Sequence, residues 1–335
     1  MSIFGVRITR RMSKLTRKFT ILAALLCILP MFAQKSAQAG EWALPVISVA
    51  NMRSKPSHSA ELSSQALMGM PVKLIERQGD WWLSQTPEGY EGWINRNSLA
   101  IMSSDEMKRW RSADRAVVTS VYQTRCFRTP DSQSVNDVVS DLVNGDIVEL
   151  GHEKETNGMT SIVLPDRRKA WVKSDDITPI DEWAGQEFNA QKILDMARSM
   201  YGQPYLWGGT STKSLDCSGL TKVCYLSNGI ILLRNASQQA GTGKRIEAAD
   251  WRECQPGDLV FFGNGSTGKV THVGIYEGDG KYIHSSGMVK RNSLDKNAPD
   301  YLNLTLLNCV RINGSQGSEG IMRAADHPWY FNIKK

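Results

Sequence analysis

The chain has 335 residues, enough for two or three domains, and its 41% hydrophobic and 22% charged residues are typical of an ordinary soluble protein. The net charge of +6 comes from the N-terminus, because residues 1–39 contain seven of the 40 basic residues and none of the 34 acidic ones. The rest of the chain is close to neutral, which excludes a nucleic-acid partner bound through a basic surface.

Residues 1–39 have the pattern of a secretory signal peptide. Basic residues precede an apolar stretch from Phe19 to Phe32, and Ala37-Gln38-Ala39 resembles a cleavage site. Because the apolar stretch is short for a membrane span, we expect an exported protein, periplasmic or secreted, with no stable membrane insertion after cleavage. The alternative is an uncleaved N-terminal anchor.

Five cysteines follow residue 39, and an odd number in an exported protein indicates one free, reactive thiol. The other four are either small buried side chains or two disulfides in one of three pairings, and their spacing does not decide between these alternatives. Neither a CxxC pair nor a His/Cys cluster points to a metal, and no cofactor is predicted. The five are Cys126, Cys217, Cys224, Cys254 and Cys309.

Residues 40–180 contain a weak internal repeat. In each copy, short β-rich runs are separated by Gly, Pro and polar turns, and a strand with a tryptophan, Trp93 or Trp171, comes late. The order resembles two bacterial SH3-like β-barrels in tandem. The predicted units are a first barrel at 40–102, a polar linker at 103–115 that is open to a helical conformation, and a second barrel at 116–180.

Aromatic side chains in the first copy allow two interpretations. Trp81, Trp82 and Trp93 either stack on a sugar or peptide ligand, or fill the small core of the barrel and its interface. We favour packing, because that is the more frequent role of such side chains in a small barrel.

From residue 181 the pattern changes to helices followed by strands, which indicates an α+β domain over 181–335. Apolar residues recur at helical spacing from Asn189, a suitable N-cap, to Tyr201, and Gly202 is a suitable stop. Further helices are expected from Cys217 to Asn228-Gly229 and through 236–239, and strands at 258–262, 270–276, 281–285 and 304–312.

Cys217 is the candidate nucleophile. We expect it at a helix N-terminus, where the helix dipole lowers the pKa of a thiol. Ser218 and Gly219 are small enough for a substrate to approach, and the backbone N–H of Cys217 would help to hold an oxyanion. A lone cysteine is as often a structural residue, but the sequence Asp216-Cys217-Ser218-Gly219 after Tyr205-x-Trp207-Gly208-Gly209 favours the nucleophile.

His272 and His284 lie in strand-like sequence on either side of Gly278-Asp279-Gly280. A three-residue hairpin loop pairs Glu277 with Lys281 and puts both histidines on one face, as diagonal neighbours about 7–8 Å apart. A two- or four-residue loop without a bulge puts them on opposite faces. Beside an activated cysteine, such a pair supplies a general base and a group that orients it. The remaining histidines, His58, His152 and His327, are interpreted as surface or packing residues.

Together these segments resemble the NlpC-type cell-wall cysteine peptidases, which have a papain-like fold and a Cys-His-His triad. The resemblance implies that Cys217 is the nucleophile, His272 the base and His284 its orienting residue, with Tyr205 at the oxyanion or substrate site. The family acts on peptidoglycan peptides, usually at the bond from the γ-carboxyl of D-Glu to a diamino acid. The matching segments are Tyr205-x-Trp207-Gly208-Gly209, Asp216-Cys217-Ser218-Gly219-Leu220, Pro256 to Phe262, His272 to Tyr276 and Tyr282 to Ser285.

Two SH3-like copies before the peptidase domain make the chain similar to the γ-D-glutamyl-L-diamino-acid endopeptidases. In these enzymes the first barrel caps the cleft, and the substrate has a free N-terminal L-Ala whose ammonium needs carboxylate and hydroxyl partners. For Glu61 the alternative is a solvated acid, and for Tyr90 it is barrel-edge packing. The implied substrate-binding residues are Asp216, Ser218, Ser237, Glu61 and Tyr90.

We therefore expect an α+β protein in which two SH3-like β-barrels precede a papain-like domain that hydrolyses L-Ala-γ-D-Glu–diamino-acid peptides through a thioester. A second hypothesis is an endopeptidase that remodels intact peptidoglycan, with the barrels as wall anchors. A third is a wall-binding protein without activity. Both Lys and diaminopimelate stay open as the diamino acid, and no oligomeric state is predicted.

Overall fold

The structure is a computed structural model that describes residues 42–120 and 122–332. The predicted signal peptide, residues 1–39, lies outside these residues. None of the helices within the described ranges has the length and hydrophobicity that a membrane crossing requires.

The first copy of the repeat forms one antiparallel sheet, which we call the first repeat unit (residues 42–102). Its strands are β1 (Trp42–Pro45), β2 (Val49–Arg53), β3 (Leu62–Leu67), β4 (Val72–Gln78), β5 (Trp81–Gln85), β6 (Glu91–Asn95) and β7 (Leu99–Met102). They pair in the order β3-β2-β6-β5-β4-β1-β7. Trp81 and Trp82 are buried, the latter in the core of this unit, and Trp93 is half-buried, as the packing interpretation predicts.

The second copy, here the second repeat unit (residues 115–179), has the same topology. Its strands are β8 (Arg115–Val118), β9 (Gln123–Phe127), β10 (Val138–Val143), β11 (Ile147–Leu150), β12 (Met159–Val163), β13 (Lys169–Lys173) and β14 (Ile177–Pro179). Their order, β10-β9-β13-β12-β11-β8-β14, matches that of the first unit strand for strand. The weak sequence repeat therefore corresponds to a repeated fold. In neither unit does the strand order of the described residues close into a ring.

The linker between the two units is helical. Helix α1 (Ser104–Ser112) begins with a capping box, in which the Ser103 hydroxyl accepts from the Glu106 N–H and the Glu106 carboxylate accepts from the Ser103 N–H. Met107 and Trp110 are buried, so this segment packs as part of the fold although its sequence is mostly polar.

The C-terminal unit (residues 180–332) contains the helices and sheet that were predicted, with further elements. Asn189 caps the second of its helices, as predicted, by accepting from the Lys192 N–H. Its helices are α2 (Ile180–Ala184), α3 (Ala190–Ser199), α4 (Cys217–Leu226) and α5 (Ala236–Gln239). Its strands are β15 (Thr210–Ser211), β16 (Ser214–Leu215), β17 (Ile230–Leu232), β18 (Lys244–Glu247), β19 (Leu259–Asn264), β20 (Lys269–Gly278), β21 (Lys281–Ser286), β22 (Met288–Ser293), β23 (Leu306–Arg311) and β24 (Ile321–Arg323).

Six of these strands form the main sheet, in the order β18-β23-β19-β20-β21-β22. Alternate residues of the central strands, such as Phe261, Val273 and Ile283, pack with α3 and α4 in one core. Side chains on the opposite face, including Phe262 and Tyr282, form a second core. The α4 helix therefore rests on the sheet, and its first residue lies beside β20, the strand that carries His272.

The C-terminal segment connects the C-terminal unit to the first repeat unit. His327 Nε2 donates to the Pro87 carbonyl (3.1 Å), and the Trp329 ring stands edge-on to Trp42 with centroids 4.9 Å apart. Tyr330 is fully buried beside Trp183. His327 is thus a packing residue, as predicted, and this contact helps to fix the first repeat unit in place.

Candidate active site

Cys217 is the first residue of α4, and Asp216 is its N-cap. The Asp216 carboxylate accepts from the Gly219 N–H (2.7 Å) and from the Gly208 N–H (3.1 Å), so it joins the helix to the preceding loop. A Cβ on Gly219 would lie 1.9 Å from the Gly209 carbonyl oxygen. The glycines of both motifs are therefore required because two backbone segments pass each other closely at the cysteine.

The cysteine is mostly enclosed by protein, with 8% of its surface exposed. The pKa of Cys217 is raised to about 11, first by burial and then by the Asp216 charge, while a backbone hydrogen bond from Val273 acts in the opposite direction. The expected lowering of this pKa by the helix dipole is therefore wrong for the free protein, since burial dominates. A base must take the proton. Each cysteine within the described residues is an unpaired, buried thiol.

The hairpin that carries the histidines has the predicted register but a different turn. Tyr276 pairs with Tyr282 as expected, whereas Lys281 pairs with Gly278 instead of Glu277. Asp279 and Gly280 form a two-residue loop with positive φ at both positions (50° and 72°), as a type I′ turn requires. A bulge at Glu277 restores the alternation. The predicted common face for both histidines results from the tight turn and the bulge together.

The two imidazoles are in direct contact. His272 Nε2 and His284 Nδ1 are 2.6 Å apart, and His284 Nε2 lies 2.8 Å from the Asn292 Oδ1. Burial lowers the pKa of His272 to about 3, with a smaller effect of His284, and burial also lowers the pKa of His284 to about 4. Both rings are therefore neutral at pH 7, as a base waiting for a thiol proton should be. Sequence reasoning missed Asn292.

Arg234 was also missed, and it lies at the centre of the site. The guanidinium is 2% exposed and donates to both oxygens of the Asp216 carboxylate (2.5 and 3.2 Å) and to the Ser218 hydroxyl (2.9 Å). Its Nε donates to Ser64 of the first repeat unit (3.2 Å). A charged residue two positions after the buried apolar strand β17 was the available signal, because a buried charge needs a partner.

A cavity of about 550 Å³ opens at the cysteine, a volume within the usual range for ligand sites. One wall comes from the first repeat unit through Ser54, Glu61, Ser63 and Tyr90, and the rest from the C-terminal unit. The structure thus brings together seven of the nine predicted site residues. These are Glu61, Tyr90, Tyr205, Asp216, Cys217, Ser218 and Ser237.

The two remaining predicted residues, His272 and His284, do not line the cavity. His272 directly follows the lining residue Thr271 on β20, and His284 lies on the neighbouring strand β21. Tyr205 is half-buried, and its pKa is raised to about 12, by burial first and then by the nearby Cys217, so its phenol keeps its proton and can donate. Trp207 is 61% exposed at the rim.

Polar contacts hold the first repeat unit against the C-terminal unit. The Gln65 N–H donates to the Thr210 hydroxyl (3.0 Å), and the Thr210 N–H donates to the Gln65 side-chain oxygen (2.9 Å). Lys222 of α4 forms a buried ion pair with Glu88 (2.7 Å). The wall of the cavity formed by the first repeat unit is therefore attached close to α4, the helix that begins at Cys217.

Known proteins share both parts of this arrangement. The sequence profile of the NlpC/P60 family matches residues 202–306, and that of the bacterial SH3 domain matches residues 48–100. Dipeptidyl-peptidase 6 of Lysinibacillus sphaericus is 30% identical over 267 residues, which cover 77% of this chain and 94% of that protein. The chain belongs to the NlpC/P60 family.

Other comparisons agree. A gamma-D-glutamyl-L-lysine dipeptidyl-peptidase of Bacillus cereus is 29% identical over 247 residues, covering 68% of each chain. The crystal structure of an NlpC/P60 family protein from Bacillus cereus has a TM-score of 0.68 and covers 81% of this chain and 99% of that one. At 23% identity this likeness concerns the fold alone. This NlpC/P60 protein is thus a cysteine peptidase, and the predicted α+β fold with SH3-like units before it is confirmed.

Proposed function

We propose that this NlpC/P60 protein is an exported endopeptidase that cuts the γ-D-glutamyl–L-diamino-acid bond of peptidoglycan peptides with a free N-terminal L-Ala. The observation that carries the proposal is the cavity at Cys217, one wall of which belongs to the first repeat unit. A wall in this position leaves room for a short upstream segment such as a dipeptide. The names of the relatives, a dipeptidyl-peptidase 6 and a gamma-D-glutamyl-L-lysine dipeptidyl-peptidase, support this specificity.

In this proposal Cys217 attacks the γ-carbonyl carbon while His272 takes the thiol proton, and the γ-glutamyl thioester forms. His272 then gives the proton to the amine of the departing diamino acid, and water hydrolyses the thioester. The backbone N–H of Cys217 and the protonated phenol of Tyr205 would donate to the oxyanion. His284 orients His272 through the 2.6 Å contact.

Recognition of the free amine is assigned to Glu61, with Ser218, Ser237 and Tyr90 as polar neighbours in the same cavity. Two carboxylates line the cavity, and they differ in their charge partners. Asp216 is neutralised by Arg234, whereas Glu61 has no basic side chain within 4 Å among the described residues. An ammonium is therefore attracted to Glu61 most strongly, and Asp216 acts mainly by fixing α4 and Ser218.

The cavity also contains one unpaired cation. Lys269 lines it, three residues before His272 on β20, and within the described residues no carboxylate lies within 4 Å of its ammonium. A γ-linked glutamyl residue keeps its α-carboxylate, which an α-linked residue at this position does not. We assign this α-carboxylate to Lys269, so that the ammonium and carboxylate of L-Ala-γ-D-Glu meet Glu61 and Lys269.

The proposal is tested by incubating the purified protein with L-Ala-γ-D-Glu–diamino-acid tripeptide and identifying the products by mass spectrometry. We expect L-Ala-γ-D-Glu and the free diamino acid, with no turnover by Cys217→Ala. Cleavage at the L-Ala–D-Glu bond, or full activity of Cys217→Ala, would refute it.

A further inference from the structure

Asn292 lies at the far end of the histidine contact, on β22, and is buried. Its Nδ2 donates to the backbone carbonyl of Asp300 (2.6 Å), and its Oδ1 faces His284 Nε2 at 2.8 Å. A carbonyl oxygen only accepts, so the Asp300 contact fixes which end of the amide is nitrogen. The oxygen is then the atom presented to the histidine.

This orientation determines the proton positions on both rings. Because the Asn292 oxygen accepts, His284 Nε2 carries the hydrogen, and the neutral ring has an unprotonated Nδ1. That Nδ1 lies 2.6 Å from His272 Nε2, which must therefore be the protonated nitrogen of His272. The lone pair of His272 is left on Nδ1. Each assignment follows from the one before it, beginning at the Asp300 carbonyl.

We propose that Asn292, held by Asp300, is a positioning residue that sets the tautomers of both histidines and so makes Nδ1 of His272 the atom that takes the Cys217 proton. The inference rests on the proposed roles of Cys217 and His272. On protonation of Nδ1, the Nε2–H of His272 keeps donating to His284, so the imidazolium forms without a rearrangement of either ring.

The anchor of this chain of contacts is itself fixed. Lys281 forms an ion pair with the Asp300 carboxylate (2.6 Å), and the Ser293 N–H donates to the Asp300 carbonyl (3.2 Å). Lys281 begins β21, the strand that carries His284, so the ion pair joins the loop after β22 to that strand. The Asp300 carbonyl is thereby held beside Asn292.

Few charged groups face the histidines, so a charge placed at position 292 should change the pKa of these imidazoles measurably. Lys290 on β22 lowers the pKa of both rings slightly, after the larger effect of burial. The titratable and charged neighbours on the packed elements are Lys290 on β22, Tyr282 on β21, the Lys281–Asp300 pair, Cys217 on α4 and the Asp216–Arg234 pair.

Two substitutions separate positioning from packing. Asn292→Ala removes the acceptor, so that neither histidine is restricted to one tautomer. We expect kcat/KM to fall about 10- to 100-fold, which is part of the roughly 10²–10⁴-fold rate increase that a general base supplies. Asn292→Asp keeps an acceptor for His284, gives up the donor to the Asp300 carbonyl and adds a negative charge, which raises the pKa of the adjacent His284 by about 1 unit or more. A His284 that is protonated on both nitrogens can no longer accept from His272, so the acid limb of the kcat/KM profile should move to higher pH, with activity at pH 8 retained better than in Asn292→Ala.

The second measurement does not depend on the substrate. The rate at which iodoacetamide alkylates Cys217, followed by mass spectrometry of the peptide that contains Cys217 between pH 3 and 9, reports proton removal from the thiol directly. We expect it to fall at least about fivefold in Asn292→Ala, since proton transfer to the base is impaired, and its pH profile to shift upward in Asn292→Asp. The matched control is Asn308→Ala, a buried asparagine on β23 whose amide also donates to backbone carbonyls (3.4 Å).

The proposal is overturned if Asn292→Ala keeps both rates within twofold of the wild type, or if Asn292→Asp shifts neither pH profile. It is also overturned if Asn308→Ala reproduces the losses. If Asn292→Ala lowers Tm strongly, the alkylation profile of Asn292→Asp decides. A failure of the tripeptide to be cleaved would refute the proposed specificity but leave the alkylation results to judge the inference.

Discussion

Replacement of Arg234 by methionine probes the junction between the first repeat unit and the C-terminal unit beside Cys217. The substitution keeps most of the side-chain volume but removes the donors to Asp216, Ser218 and Ser64. The Asp216 carboxylate, 5% exposed, retains two backbone N–H donors but loses its cation. Breaking a buried ion pair costs about 3–5 kcal/mol, and the retained hydrogen bonds favour the lower end, about 3 kcal/mol.

A loss of about 3 kcal/mol should lower the unfolding Tm by roughly 6–12 °C, measured by calorimetry, since 1 kcal/mol shifts a domain of this size by roughly 2–4 °C. We expect kcat/KM to fall as well, because Asp216 caps the helix that begins at Cys217. The double variant Asp216→Asn/Arg234→Met should recover part of the lost Tm, as no unpaired charge is left buried. A suitable control is Arg245→Met, which breaks an ion pair with Glu247 whose side chains are 55% and 62% exposed.

The exposed pair should contribute less than about 1 kcal/mol, so the control should melt close to the wild type. If Arg234→Met melts no lower than Arg245→Met, the buried pair does not stabilise the junction. If the double variant melts well below Arg234→Met, the loss comes from packing rather than from an unpaired carboxylate.

Three further predictions concern single side chains. Glu61→Gln should lower kcat/KM for the free-amine tripeptide about 10- to 100-fold, because it removes one charge-assisted contact of about 1.5–3 kcal/mol. The control Glu91→Gln changes an exposed acid outside the cavity and should leave kcat/KM unchanged. Wild-type enzyme should prefer a γ-D-glutamyl peptide over its α-carboxamide, and Lys269→Met should abolish this preference; an undiminished preference would remove Lys269 from the site. In the unfolded chain a histidine binds a proton below about pH 6.5, whereas the buried His284 stays neutral down to about pH 4. The free energy of unfolding should therefore be highest above pH 6.5 and decrease as the pH falls toward 4. This loss, up to about 3 kcal/mol, should be smaller in His284→Gln, and equal slopes of Tm against pH would contradict the assignment.

Local sequence predicted the elements that carry the site because their signals are short-range. Asp216 caps α4 through a contact three residues away, and the Asp279-Gly280 turn with its bulge sets the face of both histidines. Strand β22 was missed because its polar sequence, Met-Val-Lys-Arg-Asn-Ser, lacks the alternation of a half-buried strand. Asn292 was missed with it.

Long-range contacts explain the other differences. Arg234 meets Asp216 at a separation of 18 residues and Ser64 at 170, so only the packed chain reveals its partners. The pKa of Cys217 was predicted from the helix dipole alone, but the cysteine is buried by the tertiary fold, and this burial determines the direction of the shift. Sequence reasoning therefore predicted the candidate reacting groups, whereas their protonation states and supporting contacts depend on the tertiary structure.

The central claim is that the first repeat unit closes the cavity around a short substrate with a free amine. The most direct measurement compares the cleavage of L-Ala-γ-D-Glu–diamino-acid tripeptide with that of the same peptide N-acetylated at L-Ala, using the wild-type protein. We predict cleavage of the free-amine peptide and at most a few per cent of that rate with the acetylated one, since the acetyl group removes the charge that Glu61 binds and extends the chain towards the wall. Equal rates would contradict the account and indicate an open cleft suited to intact peptidoglycan.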